Sequence, residues 1–164
     1  LAVKYLDEAY AGGIEASDLS EFRGMAASLL GDTDKPIEAF TQALAVNPSD
    51  FVLYAVAENY KKKGDIQNAK LYLFETIKKT GNAVLEVRCR NQLGLLFLEE
   101  HKLDEALEQF KLVLEKDVNS ADAHYGIGLI YEMQGDMIKA RYEWRTAIRL
   151  NPIHTETRVK LNIK

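Results

Sequence analysis

Few side chains in this 164-residue chain are of the types that carry out chemistry. Cys89 is the single cysteine, so an internal disulfide is excluded, and it lies between Arg88 and Arg90. Two neighbouring guanidinium groups could lower the pKa of its thiol and make it reactive. The alternative, which we favour, is that Cys89 is a helix residue without a chemical role.

The remaining candidates do not form a catalytic or metal-binding group. No pair among His101, His124 and His154 has the His-x-x-x-His spacing, and a lone cysteine cannot supply a Cys-x-x-Cys zinc half-site. The segment Gly126-Ile127-Gly128 has a Gly-x-Gly pattern, but it lies within a predicted helix with no strand before it, unlike a phosphate loop. We therefore expect no enzymatic activity, no metal and no cofactor.

Charge is distributed unevenly along the chain, whose formal net charge is −4. Residues 1–50 carry nine acidic and three basic side chains, whereas the block 61–90 contains Lys61, Lys62, Lys63, Lys70, Lys78, Lys79, Arg88 and Arg90. This block could bind an acidic partner or nucleic acid. A solvated lysine-rich face is the favoured alternative, because the block lacks the interleaved aromatic residues that single strands require. No apolar run approaches the ~20 residues needed to span a membrane, so membrane insertion is not expected.

The elements that position these residues follow an internal repeat. An alanine recurs at Ala69, Ala106 and Ala140. In each case a small residue lies twelve positions before the alanine and a large apolar residue lies four positions after it. Spacings of i, i+4 and i+7 indicate two amphipathic helices in each repeat. In the clearest repeat the apolar and small positions are Ile127, Gly128, Tyr131, Ala140, Trp144 and Ala147, with a turn at Gly135-Asp136.

Four consecutive units share this register, and the pattern resembles the tetratricopeptide repeat (TPR) family. The resemblance implies an all-α fold, an α-α superhelix or solenoid of antiparallel helix pairs. Such a scaffold works by binding. The chain departs from the family where Ser20, Leu53, Arg90 and His124 replace the first-helix tryptophan, and where Pro36 replaces the second-helix alanine of repeat one.

The predicted organisation is one solenoid over 1–164. Its parts are a second helix of a preceding repeat or a cap (1–14), repeat one (17–49), repeat two (50–86), repeat three (87–120), repeat four (121–154), and the start of a fifth repeat or a capping helix (155–164). The turns at Gly64 and His101 are 37 residues apart, against 34 for His101 and Gly135. The three extra residues fall between Gly81 and Val87, so we expect an additional turn at the start of the next helix, adding ~4.5 Å.

The resemblance also implies where a ligand would bind. In the family, first-helix positions 2, 5, 9 and 12 line a concave groove that holds a peptide. Carried over to this chain, they give a partner-binding groove of Phe51, Tyr54, Glu58, Arg88, Asn91, Leu95, Leu98, Tyr125 and Leu129. The lysine and asparagine set with which some members hold a terminal carboxylate is missing. The helix around Leu95 and Leu98 is apolar on nearly all sides, so these leucines either line the groove or pack on a neighbouring helix.

Three hypotheses of function follow. The first is a scaffold that binds an apolar or amphipathic segment of another protein in the groove. The second is a self-assembly module that forms homo-oligomers. The third, and least favoured, is an acidic-partner or nucleic-acid binder acting through the block 61–90.

Overall fold

The structure, a computed structural model, describes residues 37–39, 41–42 and 49–164. The chain divides into two compact units, Leu1–Gly81 and Asn82–Lys164. The described residues form helices and turns without a strand. The helices are α1 (Asp50–Lys63), α2 (Ile66–Lys79), α3 (Ala83–Glu99), α4 (Leu103–Lys116), α5 (Ala121–Met133), α6 (Met137–Leu150) and α7 (Thr155–Lys160). The predictions for residues 1–14 and for most of repeat one lie outside the described residues.

Each hairpin turns at a residue in the left-handed backbone region. Gly64 and Gly135 both have φ = 81°, a conformation that glycine adopts without a Cβ penalty. His101 takes the same position between α3 and α4 with φ = 58°. The aspartates after the glycines then cap the next helix, because Asp65 accepts from the backbone N–H of Asn68 and Asp136 from that of Lys139.

The first unit is built on the hairpin of α1 and α2. Val52 and Val56 are fully buried in its core, and the rings of Tyr60 and Tyr72 stack at 5.5 Å between centroids. The open end of the hairpin is closed by a hydrogen bond of 2.6 Å from the Thr80 hydroxyl to the carboxylate of Asp50. This bond joins the two ends of the hairpin, thirty residues apart in sequence.

The second unit consists of the hairpins α3–α4 and α5–α6, followed by α7. Its core is centred on Phe110, which is fully buried between glycines of two different helices. A Cβ atom added at Gly94 of α3 would lie 2.5 Å from the ring, and one added at Gly126 of α5 would lie 2.2 Å from it. The ring therefore fills the space that side chains at both positions would need.

The same relation recurs in the next hairpin, 34 residues further on. The buried ring of Trp144 in α6 lies against Gly128 of α5, as Phe110 lies against Gly94. The ammonium group of Lys160 lies 5.2 Å from the centroid of the Trp144 ring. Lys160 is the α7 residue at the register position of Gly126 in α5. Phe110 thus lies between two glycines, whereas Trp144 lies against one glycine and the ammonium group of Lys160.

The additional turn that the sequence predicts is present at the start of α3. This helix has 17 residues, against 14 in α1, α2, α4 and α6. The helix begins at Ala83, so the additional turn lies before the predicted boundary between repeat two (50–86) and repeat three (87–120). The turn belongs wholly to the second unit. Glu86 in this turn binds Arg90 at 2.8 Å and Lys116, the last residue of α4, at 3.1 Å. The extra turn is thereby fixed to the far end of its hairpin partner.

Candidate functional site

The predicted groove residues of the second unit lie on α3 and α5, two first helices that pack against each other. Leu95 is 39% exposed in the second half of α3, and Arg88, two helical turns earlier, is also exposed. Tyr125 and Leu129 of α5 are half-buried. Leu95 and Leu129 occupy the same register position, 34 residues apart. Arg88 and Leu95 are thus the exposed members of the set, whereas Leu129 packs partly against the cluster around Phe110.

Two residues of the predicted groove are buried instead. Leu98 is only 6% exposed and belongs to the cluster around Phe110 and Ile127, so its assignment to an exposed strip is wrong. Asn91 is 8% exposed, and its side-chain oxygen has no hydrogen-bond partner. The physical reason is that α3 packs on both α4 and α5, which buries two faces and leaves a narrower exposed stripe than one hairpin partner would.

The first unit carries three further predicted positions on α1. Phe51 is 48% exposed, whereas Tyr54 and Glu58 are half-buried. The Glu58 carboxylate lies 3.4 Å from the ammonium group of Lys61, one turn later on the same helix. Phe51 is therefore the most accessible of the three side chains.

Two carboxylates influence the phenol of Tyr125. Burial raises the pKa of the Tyr125 phenol, and the carboxylates of Glu156 and Glu132 raise it further. The phenol stays protonated at neutral pH and can donate a hydrogen bond. The ring also lies 5.3 Å from the imidazole of His154, centroid to centroid.

His154 holds this end of the surface in place. Its Nε2 lies 2.8 Å from the carboxylate of Asp122, which can only accept, so Nε2 carries the proton. Its Nδ1 accepts from the backbone N–H of Thr157 and thus caps α7. Sequence reasoning weighed His154 only as a metal ligand. The signal for its structural role was its place three residues before Thr157, the usual spacing of a helix cap.

The other candidate features are Cys89, possible metal ligands and the basic block. Cys89 is fully buried, and no group of three or more histidine, cysteine or acidic residues there could hold a metal ion. None of the described helices is long and apolar enough to cross a membrane. The basic block 61–90 is not a uniform patch, because Arg90 is held by Glu86 and Gln109 and Lys70 is buried.

A second apolar surface lies beside α7 and was not predicted. A shallow depression of about 340 Å³ is lined by Ile153, Thr155, Arg158, Val159 and Ile163. Ile153 and Val159 are 79% and 71% exposed. The depression is made by residues after α6 and is separate from the exposed positions of α3.

Comparisons with known proteins agree with this architecture. A family model described as TPR repeat matches residues 94–135, and one described as tetratricopeptide repeat matches residues 121–154. No curated protein matches the chain.

Solved structures with the same fold cover nearly all of it. The chain is similar to MamA with a TM-score of 0.81 at 16% identity, covering 94% of this chain and 89% of MamA. It is similar to YrrB, titled a TPR protein with an unusual peptide-binding site, with a TM-score of 0.80 at 24% identity, covering 98% and 81%. The C-terminal part of a TPR repeat-containing protein from Cytophaga hutchinsonii gives 0.78 at 12% identity, covering 94% and 60%. Residues 94–154 thus match tetratricopeptide repeat models, and the chain has the fold of these solved structures.

Proposed function

We propose that the chain is a protein–protein interaction scaffold that binds an apolar or amphipathic segment of a partner. The binding surface in the second unit consists of Arg88, Leu95, Tyr125 and Leu129, which we call the first-helix surface. The exposure of Leu95 carries the proposal, because this leucine is 39% exposed while the neighbouring Leu93, Leu96 and Leu98 of α3 are buried. An exposed leucine beside a half-buried tyrosine and leucine is the arrangement from which peptide-binding anchors are made.

The surface also has a polarity that would orient a bound segment. Arg88 lies toward the start of α3, whereas Asp122, Glu132 and Glu156 lie around Tyr125. A segment with an acidic residue near Arg88 and a basic residue near Tyr125 would match these charges. YrrB, which shares the fold, is described as having a peptide-binding site, and this supports the class of ligand.

Selection from a phage-displayed peptide library against the full chain tests the proposal. The selected peptides should carry apolar anchors, and their binding should be lost in the double variant Leu95→Glu, Tyr125→Ala. The matched control is Val118→Glu, which adds the same charge at a 69% exposed apolar residue between α4 and α5 and should leave binding unchanged.

The double variant separates binding from stability if its helicity and melting are measured alongside. A folded double variant that still binds the selected peptides would place the binding site elsewhere. A double variant that unfolds would show that Leu95 and Tyr125 are core residues and that the surface is misassigned. Phe51→Ser, made separately, reports whether the first unit contributes.

Self-assembly is the second candidate, and the exposed Ile153 and Val159 beside α7 favour it. Multi-angle light scattering over a dilution series measures it directly. A mass that rises with concentration and is returned to that of one chain by Ile153→Ser with Val159→Ser would support this candidate. A constant single-chain mass would exclude it at those concentrations.

A further inference from the structure

The outer face of α6 differs from a usual solvated helix surface. At 100° per residue, Ile138, Arg141, Tyr142, Arg145 and Arg149 lie within about 60° of one direction. We call these five residues the α6 arginine face. It lies opposite the buried stripe of Ala140, Trp144 and Ala147. Ile138 is 86% exposed and Tyr142 is 66% exposed, so two large apolar side chains stand among the three arginines.

The three guanidinium groups have no partner in the part of the chain that the structure describes. Arg141, Arg145 and Arg149 are exposed and take part in no hydrogen bond or ion pair there. The other charged groups of the helix are engaged, since Lys139 binds Asp136 at 3.0 Å and Glu143 binds His124 at 2.7 Å. The positive charge of this face is therefore not neutralised by its own helix.

The corresponding face of α4 shows what the same positions carry when they are only solvated. The residues 34 positions before Ile138, Tyr142, Arg145 and Arg149 are Asp104, Glu108, Lys111 and Glu115. All four are exposed and none is apolar, whereas Leu107, the counterpart of Arg141, is half-buried and packs against the cluster around Phe110. The hairpin position alone thus does not require arginine, isoleucine or tyrosine at these points.

We propose that the α6 arginine face binds an acidic segment of a partner protein that also carries apolar side chains. Guanidinium groups bind carboxylates in a bidentate manner, and Ile138 and Tyr142 offer apolar contact between them. From Ile138 to Arg149 the face is ~16 Å long, which suits about three turns of an acidic amphipathic helix. This surface is separate from the first-helix surface, and the proposal does not depend on that one.

Charge argues against the larger polyanions. Three arginines would displace few counterions from nucleic acid, so they would supply little of its affinity. The acidic outer positions of α4 in the same unit would repel an extended anionic surface such as duplex DNA or a phosphatidylserine bilayer. A short acidic segment can contact the arginines without approaching Glu108 or Glu115.

Fluorescence anisotropy with the full chain tests the proposal. The probe is a labelled fifteen-residue peptide of glutamate, leucine and alanine, with leucines at i, i+3 and i+7 on one face and glutamates flanking them. It should bind saturably, while the peptide with lysine in place of each glutamate should not. Arg141→Glu with Arg145→Glu should weaken binding about tenfold or more, and Ile138→Ser with Tyr142→Ser should weaken it too.

The matched control is Lys111→Glu, which reverses the charge at the position of Arg145 on α4 and should leave peptide binding unchanged. The same proteins are titrated with a single-stranded oligonucleotide and with phosphatidylserine vesicles, and their mass is measured by light scattering. Absence of saturable peptide binding, or equal binding by the double arginine variant, would overturn the proposal. So would tighter arginine-dependent binding to the oligonucleotide or vesicles, or arginine-dependent dimerisation that excludes the peptide.

Discussion

The indole of Trp144 occupies the space that a side chain at Gly128 would need. A Cβ atom added at Gly128 would lie 2.3 Å from Nε1 and 2.5 Å from the adjoining ring carbon, Cδ1, of Trp144. Neither partner can move easily, because the ring is 1% exposed and the glycine lies inside α5. The glycine is thus required by packing, although glycine within a helix is destabilising by ~1 kcal/mol relative to alanine.

Gly128→Ala is therefore expected to lower the free energy of unfolding by about 1–3 kcal/mol, because overpacking outweighs the gain in helix propensity. Gly81→Ala is the matched control. It meets nothing within 4 Å and does not have a positive φ, so its effect should stay within about 0.5 kcal/mol. Urea denaturation measures both, and equal stability of the two variants would show that the ring can move aside.

Truncating the ring should be costlier than reshaping it. Trp144→Ala is expected to lower the free energy of unfolding by about 3–5 kcal/mol, since it leaves a large cavity. Trp144→Phe should lower it by less, because it keeps most of the apolar volume and removes a buried Nε1–H that lacks a hydrogen-bond partner. Denaturant titration of both proteins checks the order, and equal losses would show that the apolar volume of the ring is not what stabilises the fold.

Phe110 and Gly126 should behave as a coupled pair although they belong to neighbouring hairpins. Gly126→Ala alone is expected to be destabilising by about 1–3 kcal/mol, because its Cβ would lie 2.2 Å from the ring. In a Phe110→Leu background the same change should be destabilising by less, with a coupling energy of about 0.5–3 kcal/mol. A double-mutant cycle measures the coupling, and strictly additive effects would argue against this contact.

Glu86 should make the stability of the second unit depend on pH. Burial alone would raise the pKa of its carboxyl, but hydrogen bonds from Lys116 and Arg90 and their positive charges outweigh burial, so its pKa is lowered. The unfolded chain thus binds the proton more tightly, and the carboxylate stabilises the fold above its unfolded pKa of ~4.3. That stability is lost as the pH falls through the lower folded pKa.

Glu86→Gln should consequently lower the free energy of unfolding by about 1–2 kcal/mol at pH 7, and the difference from the wild type should shrink below about pH 4. Glu115→Gln on the exposed side of α4 is the control, with no comparable pH-dependent difference expected. Thermal unfolding between pH 3 and 7 measures it. A Glu86→Gln difference that is constant over this range would exclude the carboxylate as its source.

Leu95 and Leu98 are three residues apart, but a charge should be much more destabilising at Leu98 than at Leu95. Leu98→Glu places a carboxylate in the cluster around Phe110 and should lower the free energy of unfolding by about 3 kcal/mol or more. Leu95→Glu should change it by less than about 1 kcal/mol, since that side chain is 39% exposed. Circular dichroism melts compare the two, and a similar loss in both would place Leu95 in the core.

The fold was predictable because its signals are local and repeated. Each feature that fixes the fold has a reason within its own hairpin. These features are the small residues at Gly94, Gly128 and Ala140, the turns at Gly64 and Gly135, and the three extra residues before Val87. Gly126 was harder to interpret. Glycine is needed at position 126 because Phe110 of the preceding hairpin fills the space beside it. The spacing of residues within α5 does not show which side chain of another hairpin lies there.

The surface was predictable only in part for a related reason. The helical period gives the direction of a side chain but not the number of neighbours around its helix. Leu95, Arg88 and Leu98 follow the same period on α3, yet Leu98 is buried because α5 adds a second packing face. Pairings between distant residues, such as His154 with Asp122, leave no periodic signal at all.

The position of Phe110 between two hairpins also bears on how such an array can evolve by duplication. Its ring needs glycine both at Gly94 of its own repeat and at Gly126 of the next one. In α3 the register position of Gly126 is held by Gln92. A tandem copy of repeat three would therefore place Phe110 against a glutamine side chain instead of an empty position. The order of the repeats is specified by this contact, so the three positions must be inherited together and the two repeats are not interchangeable modules.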